Sequence, residues 1–459
     1  MNAHPFESPS EARLSAFRSG DQTAEEIVAE VLEQIASTAW VNALVEVVPE
    51  RALSAARQLD EKRREETRKV GPLAGLLFVV KDNIDARGWP TTACTPALAN
   101  NVAASDAETV ARLRQADAIL LGKSVMHELA MGGTSNNPHC PPVRNPHMPD
   151  RIAGGSSGGT AAAIAAGWCD FGLGSDTGGS IPIPSALCGV AGLRPSVGRY
   201  SNGGLLMAHK SRDVIGPMAP TAFLLRMIDS VLCVEPPSPM SADLRLGLPR
   251  DYFWNGADRS VRDVLEGTIE RLRGKGVSFV DLDLPDLEAL NSAASVAFRS
   301  EPSFDLAESL AALPDPISID ILIKATQSKT IAAMLKEIVS GRGPRSLVDE
   351  ALALHRPRLR NLLHRSLDDS GLDALVVPAI PLAAVPIGQE EEISINAVSR
   401  PFFSYTHSTL VAANAGVPFL TIPGGATPDG LPVGLGFIGR HGADAHLLAI
   451  GAACERLLT

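Results

Sequence analysis

This 459-residue sequence has too few basic residues to bind nucleic acid by charge. Lys and Arg number 41 against 52 Asp and Glu, which leaves a formal net charge of −11 at pH 7. Contacts with phosphate backbones need concentrated Lys and Arg, and an anionic membrane surface attracts basic clusters. The charge balance therefore predicts that the partner is neither nucleic acid nor a membrane.

Signals for disulfides, secretion and membrane insertion are also lacking. No CxxC pair and no disulfide framework is found among the cysteines at positions 94, 140, 169, 188, 233 and 454, which is typical of reduced, buried thiols. The N-terminus lacks the basic and apolar segments of a signal peptide. Residues 152–169 carry no charge, but they contain five Gly, two Ser and one Thr and are too polar for a membrane span. We expect a cytoplasmic protein.

What the sequence does contain is a set of short apolar runs separated by helical patterns. Residues 75–81 and 119–121 are typical of strands buried on both faces. Ser105 and Glu108 are expected to cap the start of a helix that lies between these two strands. Strand, helix and strand in this order favour an α/β fold, with a large mixed β-sheet sandwiched by helices.

The chain has no Ser/Pro-rich linker and no repeat, so we expect one domain over residues 1–459. Further apolar runs predict strands near residues 374–378, 419–423 and 433–439, followed by a final helix. The expected parts are N-terminal helices (1–70), a core (71–222), a variable helical insertion that covers the active site (223–370), and C-terminal strands with a helix that complete the core (371–459).

Glycine is concentrated in residues 154–180, GGSSGGTAAAIAAGWCDFGLGSDTGGS. The small residues after Thr160 predict a tightly packed helix. The loop before this helix would then present free backbone N–H groups at a helix N-terminus. Such a loop can bind an anion, either a phosphate or a transient oxyanion.

Two familiar glycine motifs match poorly. A Walker A loop needs Gly five positions before Gly122, where this chain has Asp117, and Thr177 replaces the third glycine of GxGxxG. Residues 154–158 match the GxSxG motif of α/β-hydrolases. However, that motif requires a buried strand directly before it, and the preceding PHMPDRIAG contains two Pro and no apolar run.

The remaining hypothesis for this segment is a nucleophilic serine that is activated by a lysine. Lys81 ends a predicted buried strand, where desolvation would lower its pKa and make the neutral amine available as a base. Serine is a poor nucleophile until a neighbouring base removes its proton, and lysine serves as that base in known Ser-Lys systems. Taken alone, a lysine at a strand end is more often structural.

Metal binding is not expected. His127 and Glu128 begin an HExxH pattern, but Met131 stands where the second histidine belongs. His139 and His147 lie in a Pro/Asn-rich loop without zinc spacing.

Three stretches of this sequence resemble the motifs of the amidase signature family. They are VVKDN with Lys81, GGSSGGTAAAIAAG with Ser156, and GSDTGGSIPIPS with Ser180. The resemblance covers roughly residues 70–220, and it resumes at DGLPVGLGFIGR. Residues 225–370 are not covered.

The resemblance implies a Ser-Ser-Lys triad that needs no cofactor. Ser180 would be the nucleophile, Lys81 the base, and Ser156, on a cis peptide bond in the family, the bridge between them. The oxyanion would be stabilised by backbone N–H groups of Thr177, Gly178, Gly179 and Ser180. The acyl pocket would be lined by Met131, Gly132 and Gly133.

One departure concerns the substrate. The family commonly has Arg two residues after the nucleophile, whereas this chain has Pro182, and no basic residue follows before Arg194. We therefore hypothesise that the substrate is neutral on its acyl side. Alternatively, that arginine is only a packing residue in the family.

The resemblance implies hydrolysis of the C–N bond of a small, neutral amide of the aryl or arylacetamide type. Because a carbamate presents the same carbonyl chemistry, urethane hydrolysis is the first alternative. The second is the glutaminase subunit of a tRNA-dependent amidotransferase. The expected partner is thus a small-molecule amide or carbamate, and a homodimer is the one assembly that we consider.

Overall fold

The structure, a computed structural model, describes residues 9–65, 69–240, 243–341, 343–389 and 391–459. Its strands in chain order are β1 (Leu44–Val47), β2 (Leu77–Lys81), β3 (Ile119–Ser124), β4 (Arg144–Asn145), β5 (Met148–Ile152), β6 (Phe171–Asp176), β7 (Ala191–Arg194), β8 (Val214–Ala219), β9 (Arg245–Pro249), β10 (Ser278–Leu282), β11 (Ala374–Pro378), β12 (Glu392–Ile395), β13 (Val398–Pro401), β14 (Phe419–Ala426) and β15 (Pro432–Ile438).

The α-helices are α1 (Pro9–Ser19), α2 (Ala24–Ser37), α3 (Pro49–Arg64), α4 (Glu108–Gln115), α5 (Gly158–Ala165), α6 (Pro182–Cys188), α7 (Ala222–Cys233), α8 (Arg259–Gly274), α9 (Leu287–Ser300), α10 (Pro302–Ala311), α11 (Ile319–Ala325), α12 (Lys329–Ser340), α13 (Arg345–Glu350), α14 (Arg356–Asp369), α15 (Thr409–Ala415) and α16 (Asp444–Leu458).

One large sheet organises the fold. Within the described residues it has eleven strands in the order β1-β3-β2-β6-β8-β7-β14-β15-β11-β9-β10. Strand β2 is parallel to both β3 and β6, whereas β6 is antiparallel to β8. The sheet is therefore mixed, and the predicted α/β class is confirmed.

Helices cover both faces of this sheet. Alternate residues of a strand point to opposite faces, and those of β2 enter two different cores. Phe78 and Val80 belong to one hydrophobic cluster, while Leu77 and Val79 belong to the other. The continuous apolar run in β2 is thus the signature of a strand buried on both sides.

One local expectation needs correction, and one strand was not predicted. Ala107, not Ser105, is the N-cap of α4, and no side chain caps this helix. The glycine-rich segment also contains a strand that the glycines obscured, β6. A Cβ on Gly172 would lie 2.5 Å from Thr160 Cγ2, and one on Gly174 would lie 2.9 Å from Ser157 Oγ. These glycines therefore allow α5 to pack closely on β6.

The middle of the chain is mostly helical, as expected, but it also completes the sheet. Strands β9 and β10 pair in parallel at the edge of the sheet. Helices α9 to α12 follow them, and α9, α10 and α12 contribute to the wall of the large cavity described below. Among the described helices, none combines the length and apolar character needed to cross a membrane.

Candidate active site

The site forms where two neighbouring parallel strands end. β2 and β6 pair in parallel, with Phe78 opposite Phe171 and Val80 opposite Leu173. Their carboxyl ends therefore meet at the same edge of the sheet. Lys81 is the last residue of β2, and the segment that carries Ser180 leaves the end of β6.

Lys81 is completely buried at this edge. Its Nζ donates to Ser156 Oγ at 2.7 Å and to the Ser175 carbonyl oxygen at 3.1 Å. Burial lowers the pKa of Lys81 to about 7, although the negative charges of Asp176 and Asp213 oppose this shift. At neutral pH a large fraction of this side chain is consequently an uncharged amine.

Ser156 belongs to a tightly bonded turn at the start of α5, and its peptide bond with Gly155 is cis. The next three N–H groups all have protein acceptors. Ser157 N donates to Ser180 O at 3.2 Å, Gly158 N to Ser135 Oγ at 3.0 Å, and Gly159 N to Val125 O at 3.0 Å. These three N–H groups are therefore not free to bind an anion, in contrast to what we expected for the loop before this helix.

The segment from Thr177 to Ser180 is held by Asp176. One carboxylate oxygen of Asp176 accepts from Gly179 N at 3.0 Å, and the other accepts from Ile181 N at 2.8 Å. The buried guanidinium of Arg194 forms an ion pair with the same carboxylate. These bonds fix the short nucleophile loop, which we define as residues 177–180, against the sheet.

Asp213, the residue before β8, fixes the same loop. It accepts from Thr177 Oγ1 at 2.6 Å, and its other oxygen accepts from the backbone N–H groups of Ala208 and His209, each at 2.9 Å. The nucleophile loop is thus joined to the segment that precedes β8.

A cavity of about 730 Å³ opens over this loop, and Ser180 lies in its wall with Thr177, Gly178 and Gly179. Lys81 and Ser156 lie behind the wall, because both are fully buried. In the part of the chain that the structure describes, Ser180 Oγ has no hydrogen-bond partner. The structure therefore joins Lys81 to Ser156 directly, but it joins Ser156 to Ser180 only through the neighbouring backbone.

Met131, Gly132 and Gly133 also line the cavity, and both glycines are in close contact with rings. A Cβ on Gly132 would lie 2.2 Å from His127 Nε2, and one on Gly133 would lie 2.8 Å from Phe402 Cε1. Burial and the positive charge of Lys81 lower the pKa of His127 to about 4. His127 is therefore a neutral ring in the cavity wall at pH 7.

Another part of the cavity wall is aromatic and comes from distant parts of the chain. Phe298 of α9 stacks on His209, with centroids 5.2 Å apart, and on Phe403, with centroids 5.7 Å apart. All three rings line the cavity. Phe298 also approaches the nucleophile loop, because a Cβ on Gly178 would lie 3.8 Å from its Cε2. We call these three rings the aromatic wall.

The sequence hypothesis of a neutral acyl side stays a prediction. Pro182 is the first residue of α6 and is buried, so it brings no charge to the site. However, the exposed side chains of Arg299 and Glu337 also line the cavity. A cation is thus available at this cavity from α9, a region in which the sequence offered no motif.

Several residues of the site were not foreseen, namely Asp213, His209, Phe298, Phe403 and Thr409. Thr409 Oγ1 donates to Gly178 O at 2.7 Å across 231 positions of sequence. None of these residues lies in a pattern that a single sequence reveals. Asp176, by contrast, belongs to the GSDTGGS motif that also contains the predicted nucleophile.

Comparisons with known proteins show the family of this chain. A family model described as Amidase matches residues 26–448. This chain belongs to the amidase family. As an amidase, it hydrolyses amide C–N bonds, so the predicted family and enzyme class are confirmed.

The relatives of this amidase include two kinds of enzyme. Indoleacetamide hydrolase from Agrobacterium vitis is 36% identical over 97% of this chain and 96% of its own. One component of the glutamyl-tRNA(Gln) amidotransferase from Chloroflexus aurantiacus is 35% identical over 97% of this chain and 96% of its own. A crystal structure described as an amidase has a TM-score of 0.86 at 32% identity, covering 97% of this chain and 98% of that one.

Proposed function

We propose that this amidase hydrolyses small amides of the aryl or arylacetamide type through a Ser-Ser-Lys triad and an acyl-enzyme. The observation that carries the proposal is the 2.7 Å hydrogen bond between the buried Lys81 and Ser156. A lysine with a pKa of about 7 is suited to general base catalysis near neutral pH, since it is available in its neutral form.

The proton path begins at the nucleophile. As Ser180 Oγ attacks the amide carbonyl, its proton passes to Ser156 Oγ, and the proton of Ser156 passes to the neutral amine of Lys81. When the tetrahedral intermediate breaks down, the same path returns a proton to the leaving nitrogen and the C–N bond breaks. Water then attacks the acyl-enzyme by the same route and releases the acid.

The developing oxyanion would be stabilised by backbone N–H groups of the nucleophile loop. We assign this role first to the N–H groups of Gly178 and Ser180, with Thr177 at the edge. The N–H of Gly179 already donates to Asp176, so its part in the oxyanion hole is shared with that carboxylate.

Support for an aromatic acyl group comes from the cavity wall and from the relatives. The aromatic wall of His209, Phe298 and Phe403 would contact a planar ring, and such contacts contribute about 0.5–1.5 kcal/mol beyond burial. Indoleacetamide hydrolases, whose name describes an aromatic acetamide, are similar to this chain along nearly its whole length. Both observations favour arylacetamides over short aliphatic amides.

A second candidate, the glutaminase subunit of an amidotransferase, is favoured by the similarity to components of glutamyl-tRNA(Gln) amidotransferases. The two candidates differ in their need for partners. A free-standing amidase is active as the purified chain, whereas we expect an amidotransferase component to depend on its complex.

The experiment compares ammonia release from phenylacetamide, glutamine and a matched aryl carbamate by the purified full-length chain, with Ser180→Ala as the matched variant. We expect fast, Ser180-dependent turnover of phenylacetamide and slow turnover of the other two. Preferred turnover of the carbamate would replace the proposal with urethane hydrolysis. Activity on glutamine alone, or on no substrate in the absence of partner proteins, would favour the amidotransferase role.

A further inference from the structure

We propose that Thr409 is a positioning residue that orients the oxyanion-binding N–H groups of the nucleophile loop. The inference rests on the proposed nucleophilic role of Ser180. Thr409 is the first residue of α15 and is completely buried. Its Oγ1 donates to Gly178 O at 2.7 Å, while its other acceptor, Thr406 O, is farther away at 3.2 Å.

This hydrogen bond holds one end of a peptide unit whose other end is held by Asp176. The carbonyl of Gly178 and the N–H of Gly179 belong to the same planar unit and point in opposite directions. The N–H of Gly179 donates to Asp176 Oδ1 at 3.0 Å. The peptide plane is thus fixed between α15 on one side and the end of β6 on the other.

The contact between Thr409 and this peptide is too close for any side chain other than hydrogen at position 179. Gly179 has a φ of 144°, in the region that favours glycine. A Cβ on Gly179 would also lie 2.4 Å from Thr409 Oγ1. The hydroxyl group of Thr409 therefore packs directly against the backbone that it orients.

The N–H groups on either side of this fixed peptide remain available to bind substrate. Within the described residues, the N–H groups of Gly178 and Ser180 have no protein acceptor, and both residues line the cavity. They flank the fixed peptide on its two sides. Because the plane between them cannot rotate, their directions are set before substrate arrives, which is what stabilisation of a transient oxyanion requires.

Thr409 should therefore contribute to the chemical step and not to the binding of the ground state. Without its hydroxyl group, the carbonyl of Gly178 loses a buried donor, and the peptide can tilt. Loss of a direct oxyanion donor costs about 10²–10³ in kcat. A tilt that weakens such donors without removing them should cost about tenfold.

The test measures kcat and KM for phenylacetamide, and the affinity for phenylboronic acid, which forms a tetrahedral adduct with serine. Thr409→Val should lower kcat about tenfold with KM nearly unchanged, and it should lower the affinity for phenylboronic acid by a similar factor. Thr409→Ser should restore most of kcat and most of this affinity. The matched control is Thr421→Val, since Thr421 is equally buried on β14 and its hydroxyl has no partner among the described residues.

Two outcomes would overturn this inference alone. One is a Ser180-dependent activity that survives Thr409→Val with its kcat intact. The other is a loss that appears in KM and in thermal stability while the affinity for the boronic acid is unchanged, because that pattern reports structure only. If Ser180→Ala has no effect on the wild-type activity, the proposed function fails, and this inference fails with it.

Discussion

The edge of the sheet and the helices above it contribute to one cavity in different ways. At the sheet edge, Lys81, Ser156 and Asp176 are fully or nearly fully buried, and each makes hydrogen bonds to the backbone or side chains around it. Away from the sheet, Met334 of α12 is 39% exposed, and Phe403, in the short segment after β13, is 52% exposed. Both side chains are apolar and line the cavity.

This difference separates the chemistry of the site from its specificity. Proton transfer needs fixed distances, which a buried and hydrogen-bonded sheet edge maintains. Recognition of an apolar acyl group needs only contact area, which the half-exposed side chains of the helices can supply. Such side chains can also be substituted at little cost to the stability of the fold. Substitutions at the sheet edge should therefore alter kcat, and those of cavity-lining side chains in α9 and α12 should alter the choice of substrate.

The largest expected effect comes from Lys81→Met. We expect kcat to fall by about 10³-fold or more, because the base is lost. Stability should fall by only about 1–3 kcal/mol, because Ser156 Oγ and the Ser175 carbonyl lose a buried donor. Activity assays and thermal denaturation measure the two effects.

The matched control is Lys123→Met on the adjacent strand β3. Lys123 is also buried, but its Nζ lies 3.8 Å from Asp82 Oδ1. Removing this lysine leaves a buried carboxyl group without its cation, so stability should fall by about 3–5 kcal/mol and the folded enzyme should remain active. Equal behaviour of the two variants would contradict the separate role of Lys81.

A smaller effect is expected in the aromatic wall. Phe298→Leu should lower kcat/KM for phenylacetamide about tenfold, since a stacking partner is lost, and it should change propionamide hydrolysis little. Phe279→Leu on β10, outside the cavity, serves as the control. If both amides lose activity equally in Phe298→Leu, the ring maintains the site and does not select the substrate.

The smallest effect belongs to the exposed part of the helical cover. Met334→Ala should raise KM for phenylacetamide about two- to threefold and leave kcat unchanged, because it removes partly solvated contact area. Steady-state kinetics measure both constants. A change confined to kcat would place this helix in the chemical step and remove the distinction between the two regions.

The sequence predicted the sheet-edge residues better than the helical ones, for a physical reason. Lys81 ends a continuous apolar run, and Ser156 and Ser180 lie in glycine-rich segments, so all three stand in local motifs. Phe298 and Thr409 reach the site only through tertiary packing, and nothing in the flanking sequence distinguishes them from other buried residues. Strand β6 was missed because its glycines, needed for contact with α5, also resemble a loop.

The pH dependence of kcat for phenylacetamide tests the central claim most directly. Lys81 must be neutral to accept a proton, and its pKa is lowered to about 7. We therefore predict that kcat rises with pH to half its maximum near pH 7, and that it falls tenfold per pH unit well below that value. A kcat that is independent of pH between about 5.5 and 9 would contradict the assignment of Lys81 as the base.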